Sequence, residues 1–115
     1  MAKETAVIVG AGSGLSAALA RAAAKAGMAV ALAARDTDKL KSVAAETGAR
    51  VYPCDAGDPA AVKALFKSLD ADFGAPGLVV YNASYRARGP FAELDPAEVE
   101  KSIRVTAYGG FLVAQ

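Results

Sequence analysis

The sequence has no histidine and a single cysteine, Cys54, and both scarcities narrow the chemistry open to the chain. Without histidine it lacks the commonest zinc ligand and the usual base of a Ser-His-Asp triad. One cysteine can form neither an internal disulfide nor a multi-cysteine metal site, and this usage is typical of a reducing compartment. No basic residue near Cys54 in the sequence favours a thiolate. We therefore expect a buried, inert thiol, no metal site and a cytoplasmic location.

An excess of charge and long hydrophobic runs are also missing. Thirteen basic and twelve acidic residues give a net charge of +1, which offers no electrostatic surface for nucleic acid or for an anionic membrane. The longest apolar stretch without a charge, residues 26–34, is far shorter than the ~20 residues that a membrane-spanning helix needs. We expect neither nucleic acid nor a membrane among the partners.

Alanine and valine are abundant instead, in apolar segments that alternate between strand and helix patterns. Of the 115 residues, 54% are hydrophobic, which suits one domain, residues 1–115, built on a sheet covered on both faces. Strand patterns cover residues 6–9, 28–34, 49–54 and 78–81, and helix patterns cover 15–26, 37–47, 58–74 and the segment from 95 onward. This alternation predicts the α/β class, with a doubly wound parallel sheet of four β-α units.

Several predicted elements carry boundary signals. Asp58 and Asp95 each precede a proline, as an N-cap residue does before the first helical position. Gly48 is typical of a helix end. Pro53 predicts that the third strand ends there or lies at an edge of the sheet.

A glycine-rich turn joins the first predicted strand to the first predicted helix. Glycines let a backbone approach phosphate oxygens and adopt a positive φ, and the free N–H groups of the following helix attract an anion. The pattern G-x-G-x-x-G fails at Leu15, whereas G-x-x-x-G-x-G fits Gly10 and Gly14, with Ser16 at the third glycine. A tight turn without a ligand is the alternative. The residues expected at a bound diphosphate are Gly10, Gly12, Ser13, Gly14 and Leu15.

Arg35 directly follows the second predicted strand, where dinucleotide-binding sheets hold the adenosine ribose. An acidic residue there would bind the ribose hydroxyls of NAD, but the preceding residue is Ala34. A guanidinium can bind the 2′-phosphate of NADP, and a contact of ~1.5–3 kcal/mol corresponds to roughly 10- to 150-fold in affinity. The pattern favours NADP(H) over NAD(H). The alternative is a surface ion pair between Arg35 and Asp36 or Asp38.

Two further strand ends carry a polar residue followed by an alanine. Asp55, before Ala56, can accept a hydrogen bond from an adenine amino group, or it can stabilise a turn over residues 55–58. Asn82, before Ala83, can contact a cofactor ribose, tie its loop to the backbone, or do both. Ligands bind at the carboxyl ends of the strands in such a sheet, so we expect these residues to face the same ligand as the glycine turn.

Four segments, in the same order and across nearly the whole chain, resemble the short-chain dehydrogenase/reductase family. Residues 10–16 resemble its phosphate-binding turn, and 54–56 resemble the place where its aspartate meets adenine. Residues 81–84 resemble its Asn-Asn-Ala-Gly segment, and 103–111 are similar to a helix that carries a structural and catalytic asparagine. The resemblance implies a Rossmann-like fold and the cofactor-binding half of an oxidoreductase that transfers hydride between nicotinamide and a carbonyl or alcohol substrate.

The chain departs from the family pattern at Tyr81, Ser84 and Thr106, the last of which stands in the place of the asparagine. The family also uses a tyrosine and a lysine spaced Tyr-x-x-x-Lys, and the sequence contains no such pair. We therefore assign no catalytic residue, and we expect the chain to bind a cofactor without turnover on its own.

The last predicted helix runs to residue 115 without a capping signal, and the strand at 78–81 would leave an apolar edge uncovered. These features predict a chain cut before the remaining strands of a longer protein. The helix resembles one that the family uses for self-association. Its small residues Ala107, Gly109 and Gly110 permit close packing, which makes it a candidate surface for a homo-oligomer.

Two other functions fit parts of the sequence. A noncatalytic NADP-binding sensor or scaffold of the same fold would tolerate Thr106 and the missing tyrosine. A methyltransferase that binds S-adenosylmethionine also places a glycine loop after its first strand, but it would need an acidic residue near the end of the second strand. Ala34 and Arg35 argue against it.

Overall fold

A computed structural model describes residues 3–115 and confirms the predicted alternation of strands and helices. The strands are β1 (Thr5–Val9), β2 (Ala29–Ala34), β3 (Arg50–Pro53) and β4 (Leu78–Tyr81). The helices are α1 (Leu15–Lys25), α2 (Lys41–Thr47), α3 (Pro59–Asp72), α4 (Pro96–Ile103) and α5 (Gly109–Ala114). Short 3₁₀ turns cover Asp38–Leu40 and Phe91–Glu93, and a π-helical turn, Arg104–Tyr108, joins α4 to α5.

The four strands form one parallel sheet in the order β3-β2-β1-β4. Within it, Ile8 of β1 pairs in register with Leu32 on one side and with Val80 on the other. The chain builds outward from β1 to β3 and then returns to the opposite side of β1 with β4, so the strand order reverses there. The fold is therefore the predicted Rossmann-like doubly wound sheet, and ligands in such sheets bind at the carboxyl ends of the strands beside the reversal.

Alternate residues of β1 face opposite layers of helices. Ala6 and Ile8 belong to a buried cluster that includes residues of α1 and α2, whereas Val7 and Val9 belong to a cluster that includes residues of α3 and α5. Side chains of neighbouring strand residues point to opposite faces, so a sheet covered on both sides needs apolar residues throughout. The buried face of α1 consists of small residues, Ser16, Ala17, Ala20 and Ala23.

The boundary signals are confirmed in the structure. Asp58 and Asp95 cap α3 and α4, and each carboxylate accepts a hydrogen bond from the backbone N–H two residues later, at 3.0 Å. Gly48 ends α2 with a φ of 72°, a left-handed conformation that glycine adopts most easily. Pro53 is the last residue of β3, which is an edge strand.

Two predicted helices differ in detail from the structure. The one over 37–47 starts with a 3₁₀ turn, because the Asp36 carboxylate accepts a hydrogen bond from the Asp38 backbone N–H at 3.1 Å and holds a turn there. The last helix is interrupted by the π turn, in which the Gly109 N–H donates to the Arg104 carbonyl. The Tyr81 hydroxyl of β4 donates to the carbonyl of Val105 within this turn, a long-range contact that no local pattern encodes.

The other edge of the sheet is β4, as predicted, and its Leu78 and Val79 side chains are 46% and 39% exposed. The last helix also leaves apolar residues in solvent, among them Ile103 and Phe111. Within residues 3–115, every helix is too short or too polar to cross a membrane.

Candidate functional site

A cleft with a volume of about 500 Å³ opens at the carboxyl ends of the strands. It brings together most of the residues predicted to bind a cofactor, which are Gly10, Gly12, Arg35, Asp55, Ala56, Asn82 and Ala83. The cleft is completed by residues that sequence reasoning did not select, which are Ala11, Ala34, Asp36, Lys39, Cys54, Ser84 and Val105.

Three predicted residues, Ser13, Gly14 and Leu15, are not part of this lining. They are exposed around the start of α1, next to Gly12 in the chain, and the Leu15 side chain is 66% exposed. Gly14 occupies the N-cap position of α1 without any side-chain cap. Helix-start N–H groups without a helical partner suit an anion, so this end of the cleft has the chemistry expected of a phosphate site.

The backbone conformation and packing at position 10 require a glycine, with or without a ligand. Its φ is 85°, and a Cβ on it would overlap the backbone of Asn82 and Ala83. The N–H groups of Gly10 and Ala11 both donate to the Ala33 carbonyl, at 2.9 and 3.0 Å. The turn is therefore fixed against the ends of β2 and β4. By contrast, a Cβ at Gly12 would have open space within 4 Å, on the side where a ligand has room.

Ser16, which stands at the third glycine of the motif, joins the glycine turn to the loop after β4. It is 3% exposed, and its hydroxyl donates to the Gly10 carbonyl at 3.3 Å and accepts from the Asn82 side-chain amide at 2.9 Å. The Asn82 backbone N–H also donates to the Val9 carbonyl at 2.8 Å. The Asn82 side chain therefore ties its loop to the glycine turn through the Ser16 hydroxyl, whereas the predicted tie was to the backbone.

Two cations, Arg35 and Lys39, line the cleft after the end of β2, together with the carboxylate of Asp36. The predicted alternative, an ion pair of Arg35 with Asp36 or Asp38, is not formed among residues 3–115. Asp38 instead pairs with Lys41 at 3.4 Å. Sequence reasoning missed Lys39, and its place four residues after Arg35, in the 3₁₀ turn that follows β2, is the signal that could have found it.

Asp55 lies exposed on the cleft wall and stabilises a turn at the same time. Its Oδ1 accepts a hydrogen bond from the Gly57 N–H at 3.0 Å, and its carbonyl accepts one from the Asp58 N–H at 3.1 Å. The turn role is thus confirmed, and the position in the cleft lining keeps the carboxylate beside any ligand bound there.

Cys54 is buried beside Asp55, as predicted, and is 5% exposed. Burial, with smaller contributions from the carboxylates of Asp55 and Asp58, raises the pKa of its thiol to about 11. The thiol is therefore protonated at neutral pH and is not a nucleophile.

The free energy of unfolding should fall less between pH 8 and pH 10 in Cys54→Ala than in the unmodified chain. Since the thiol pKa is about 11 in the folded protein against 9.0 ordinarily, its contribution is complete below pH 9 and is lost as the pH rises toward 11. By pH 10 the loss amounts to about 1 kcal/mol. Urea unfolding at pH 8 and pH 10 measures it. If the free energy of unfolding falls equally in the unmodified chain and in Cys54→Ala, the thiol does not titrate in this way.

Thr106 holds the loop that follows β4. Its hydroxyl accepts a hydrogen bond from the Tyr85 N–H and donates to the Tyr85 carbonyl, both at 3.2 Å. The Ser102 hydroxyl donates to the same carbonyl at 2.7 Å. The loop that contains Ser84 is thus fastened to the last helix by two hydroxyl groups.

Known proteins share this architecture. The family model for short chain dehydrogenases matches residues 4–115. D-threitol dehydrogenase from Mycolicibacterium smegmatis is 29% identical over 117 residues, which cover 97% of this chain and 45% of that protein. A crystal structure of actinorhodin polyketide ketoreductase with NADPH has a TM-score of 0.92 at 27% identity, over 99% of this chain and 47% of that one. A metagenomic short-chain oxidoreductase in complex with NADP has a TM-score of 0.92 at 31% identity, over 98% and 54%.

This chain spans about half the length of each of these three proteins. The family match itself covers nearly the whole chain, from β1 to the end of the last helix, and includes the glycine turn and the loop after β4. The parallel sheet with its order reversal beside the cleft agrees with that match. The chain belongs to the short-chain dehydrogenase family.

Proposed function

We propose that residues 1–115 form a single cofactor-binding domain that prefers NADP(H), within a cytoplasmic oxidoreductase acting on a carbonyl or alcohol substrate. The observation that carries the preference is the pair of cations Arg35 and Lys39 on the cleft wall, where Ala34 offers no carboxylate to ribose hydroxyls. A guanidinium free of an internal ion pair binds a phosphate without first losing a partner.

The proposal gives each part of the cleft a role. The diphosphate lies against Gly10 and Gly12 and against the start of α1, where Ser13 and Gly14 precede its first residue, Leu15, and where backbone N–H groups and the helix dipole favour an anion. Asp55, with Ala56, faces the adenine, and Asn82 and Ala83 face the ribose next to the nicotinamide. The nicotinamide, when bound, would supply or accept hydride.

The chain's own residues do the binding and orienting in this scheme. The sequence contains no Tyr-x-x-x-Lys pair for proton transfer to a substrate oxygen. We therefore expect these residues to hold the cofactor and to leave the chemical step to groups outside them.

Replacing Arg35 with alanine is expected to weaken NADPH binding roughly 10- to 150-fold and to leave NADH binding unchanged, because only NADPH carries the 2′-phosphate. Isothermal titration calorimetry of both coenzymes measures this.

Arg21→Ala is the matched control, because Arg21 pairs with Glu46 on the surface, away from the cleft, and its loss removes the same charge. It should leave both affinities unchanged. If the unmodified chain binds NADPH and NADH equally, the preference is wrong. If it binds neither, or binds S-adenosylmethionine instead, the whole proposal is wrong.

A further inference from the structure

The helix beside the cleft carries an irregularity centred on Val105. In an α-helix the Gly109 N–H would donate to the Val105 carbonyl, but in the π turn it donates to the Arg104 carbonyl instead. The Val105 carbonyl is thereby left without its helical donor. It accepts a hydrogen bond from the Tyr81 hydroxyl, which belongs to the last residue of β4.

The packing around Tyr81 is built for this contact. A Cβ at Gly109 would overlap the Tyr81 hydroxyl and would lie 2.7 Å from the Ala56 carbonyl oxygen. A Cβ at Gly110 would lie 3.5 Å from the Tyr81 ring. Gly109 therefore lets the helix approach β4 closely enough for the hydroxyl to reach Val105, whereas a Cβ at Gly110 would make only an ordinary contact with the ring.

The π turn also sets the positions of groups at the cleft. Val105 lines the cleft and also a second cavity of about 390 Å³ that shares Arg35 and Asp55 with it. The next residue, Thr106, makes the two hydrogen bonds to the Tyr85 backbone. A helix whose hydrogen bonds shifted by one residue would rotate these neighbours by about 100° about its axis.

We propose that Tyr81 is a positioning residue for the cofactor cleft: its hydroxyl holds the Val105 carbonyl, and so fixes the π turn that places Val105 on the wall and Thr106 on the Tyr85 backbone. The proposal rests on the proposed function for the identity of the ligand. The effect of Tyr81 on the π turn depends only on side chains of this chain.

Tyr81→Phe tests it, because the change removes one oxygen and keeps the ring against Gly110. We expect the NADPH dissociation constant to rise roughly 3- to 10-fold. We also expect faster amide hydrogen exchange at Tyr85 and Gly109, with unchanged exchange at Ile8 in the centre of the sheet. General destabilisation would instead speed exchange at all three amides and leave the affinity of the folded protein unchanged.

Tyr52→Phe is the matched control. The Tyr52 hydroxyl donates to Asp72 at 2.6 Å, a contact of the same kind at the edge of the sheet and outside the cleft lining. This variant should change neither NADPH affinity nor the exchange of Tyr85. The proposal is overturned if Tyr81→Phe leaves the NADPH affinity and the Tyr85 exchange rate at the values of the unmodified chain. It is also overturned if Tyr52→Phe changes these two quantities as Tyr81→Phe does.

A second variant shows whether Tyr81 acts through Thr106. Thr106→Val keeps the shape of the side chain and removes both bonds to Tyr85, so Tyr81→Phe should weaken NADPH binding less in that background than in the unmodified chain. Fully additive effects would contradict the coupling. If the unmodified chain binds no NADPH, the proposed function fails, and the exchange rates at Tyr85 and Gly109 still decide whether Tyr81 orders the turn.

Discussion

Replacing Gly10 with alanine is expected to abolish NADPH binding and to lower the free energy of unfolding by roughly 3–5 kcal/mol. Part of this cost is the left-handed φ of 85°, which an alanine adopts only with strain. The larger part is the overlap of the new Cβ with the backbone of Asn82 and Ala83. That backbone cannot easily move, because the Asn82 N–H is bonded to Val9 at the end of β1.

The chain offers a control that separates the two contributions. Gly27 has nearly the same φ, 86°, but a Cβ there would meet nothing within 4 Å. Gly27→Ala should therefore cost only the strain of about 1–2 kcal/mol and should keep NADPH binding. Urea unfolding and calorimetry of the two variants measure the difference. If Gly10→Ala is no less stable than Gly27→Ala, the backbone contact with Ala83 has no energetic weight.

Gly10 also shows what sequence reasoning could and could not predict. The glycine motif predicted the right turn in the right place, because strand, turn and helix follow one another directly. It explained Gly10 by the approach of phosphate and by a positive φ. The φ of 85° confirms the second, and the structure adds the backbone of Ala83 packed against this glycine. That contact joins segments far apart in the chain, and local patterns carry no information about it.

The same limit applies to Ser16 and to the π turn. The hydrogen bond from Asn82 to Ser16 spans 66 positions, and the one from Tyr81 to Val105 spans 24. The strands, the helix caps and the parallel doubly wound class follow from periodicity and from short-range chemistry, so they were predicted well. Hydrogen bonds between residues far apart in the chain depend on the three-dimensional packing. The irregular last helix involves one of them, the bond from Tyr81 to Val105.

The position of Arg35 could be predicted from the sequence, but its ion pairing could not. Its place at the end of β2 was predicted from the position of the strand, and the cleft lining confirms that place. Whether it would pair with Asp36 or Asp38 could not be decided from the sequence, since both carboxylates are close in the chain. The structure engages both elsewhere, Asp38 with Lys41 and Asp36 in a backbone turn. The preference for NADPH stays a prediction until the titrations are done.

Replacing Leu32 with alanine is expected to lower the free energy of unfolding by about 2–5 kcal/mol. Leu32 is 1% exposed in β2, between Ile8 of β1 and Val51 of β3. Its cluster contains many alanines, on the strands as well as on α1, so large side chains are scarce there. Few neighbours are long enough to fill the cavity that the truncation leaves, which places the expected cost in the upper part of the range.

Leu78→Ala is the control, because Leu78 is also a strand leucine but is 46% exposed at the edge of the sheet, and its truncation should cost about 1 kcal/mol or less. Leu32 is not part of the cleft lining, so the folded variant should bind NADPH as the unmodified chain does. Saturating NADPH should then stabilise Leu32→Ala and the unmodified chain by the same free energy, since that gain depends only on ligand concentration and dissociation constant. A smaller gain in Leu32→Ala would mean that the core under β2 and the cofactor cleft are coupled, through members of the same buried cluster, Ala11 and Ala34, that also line the cleft.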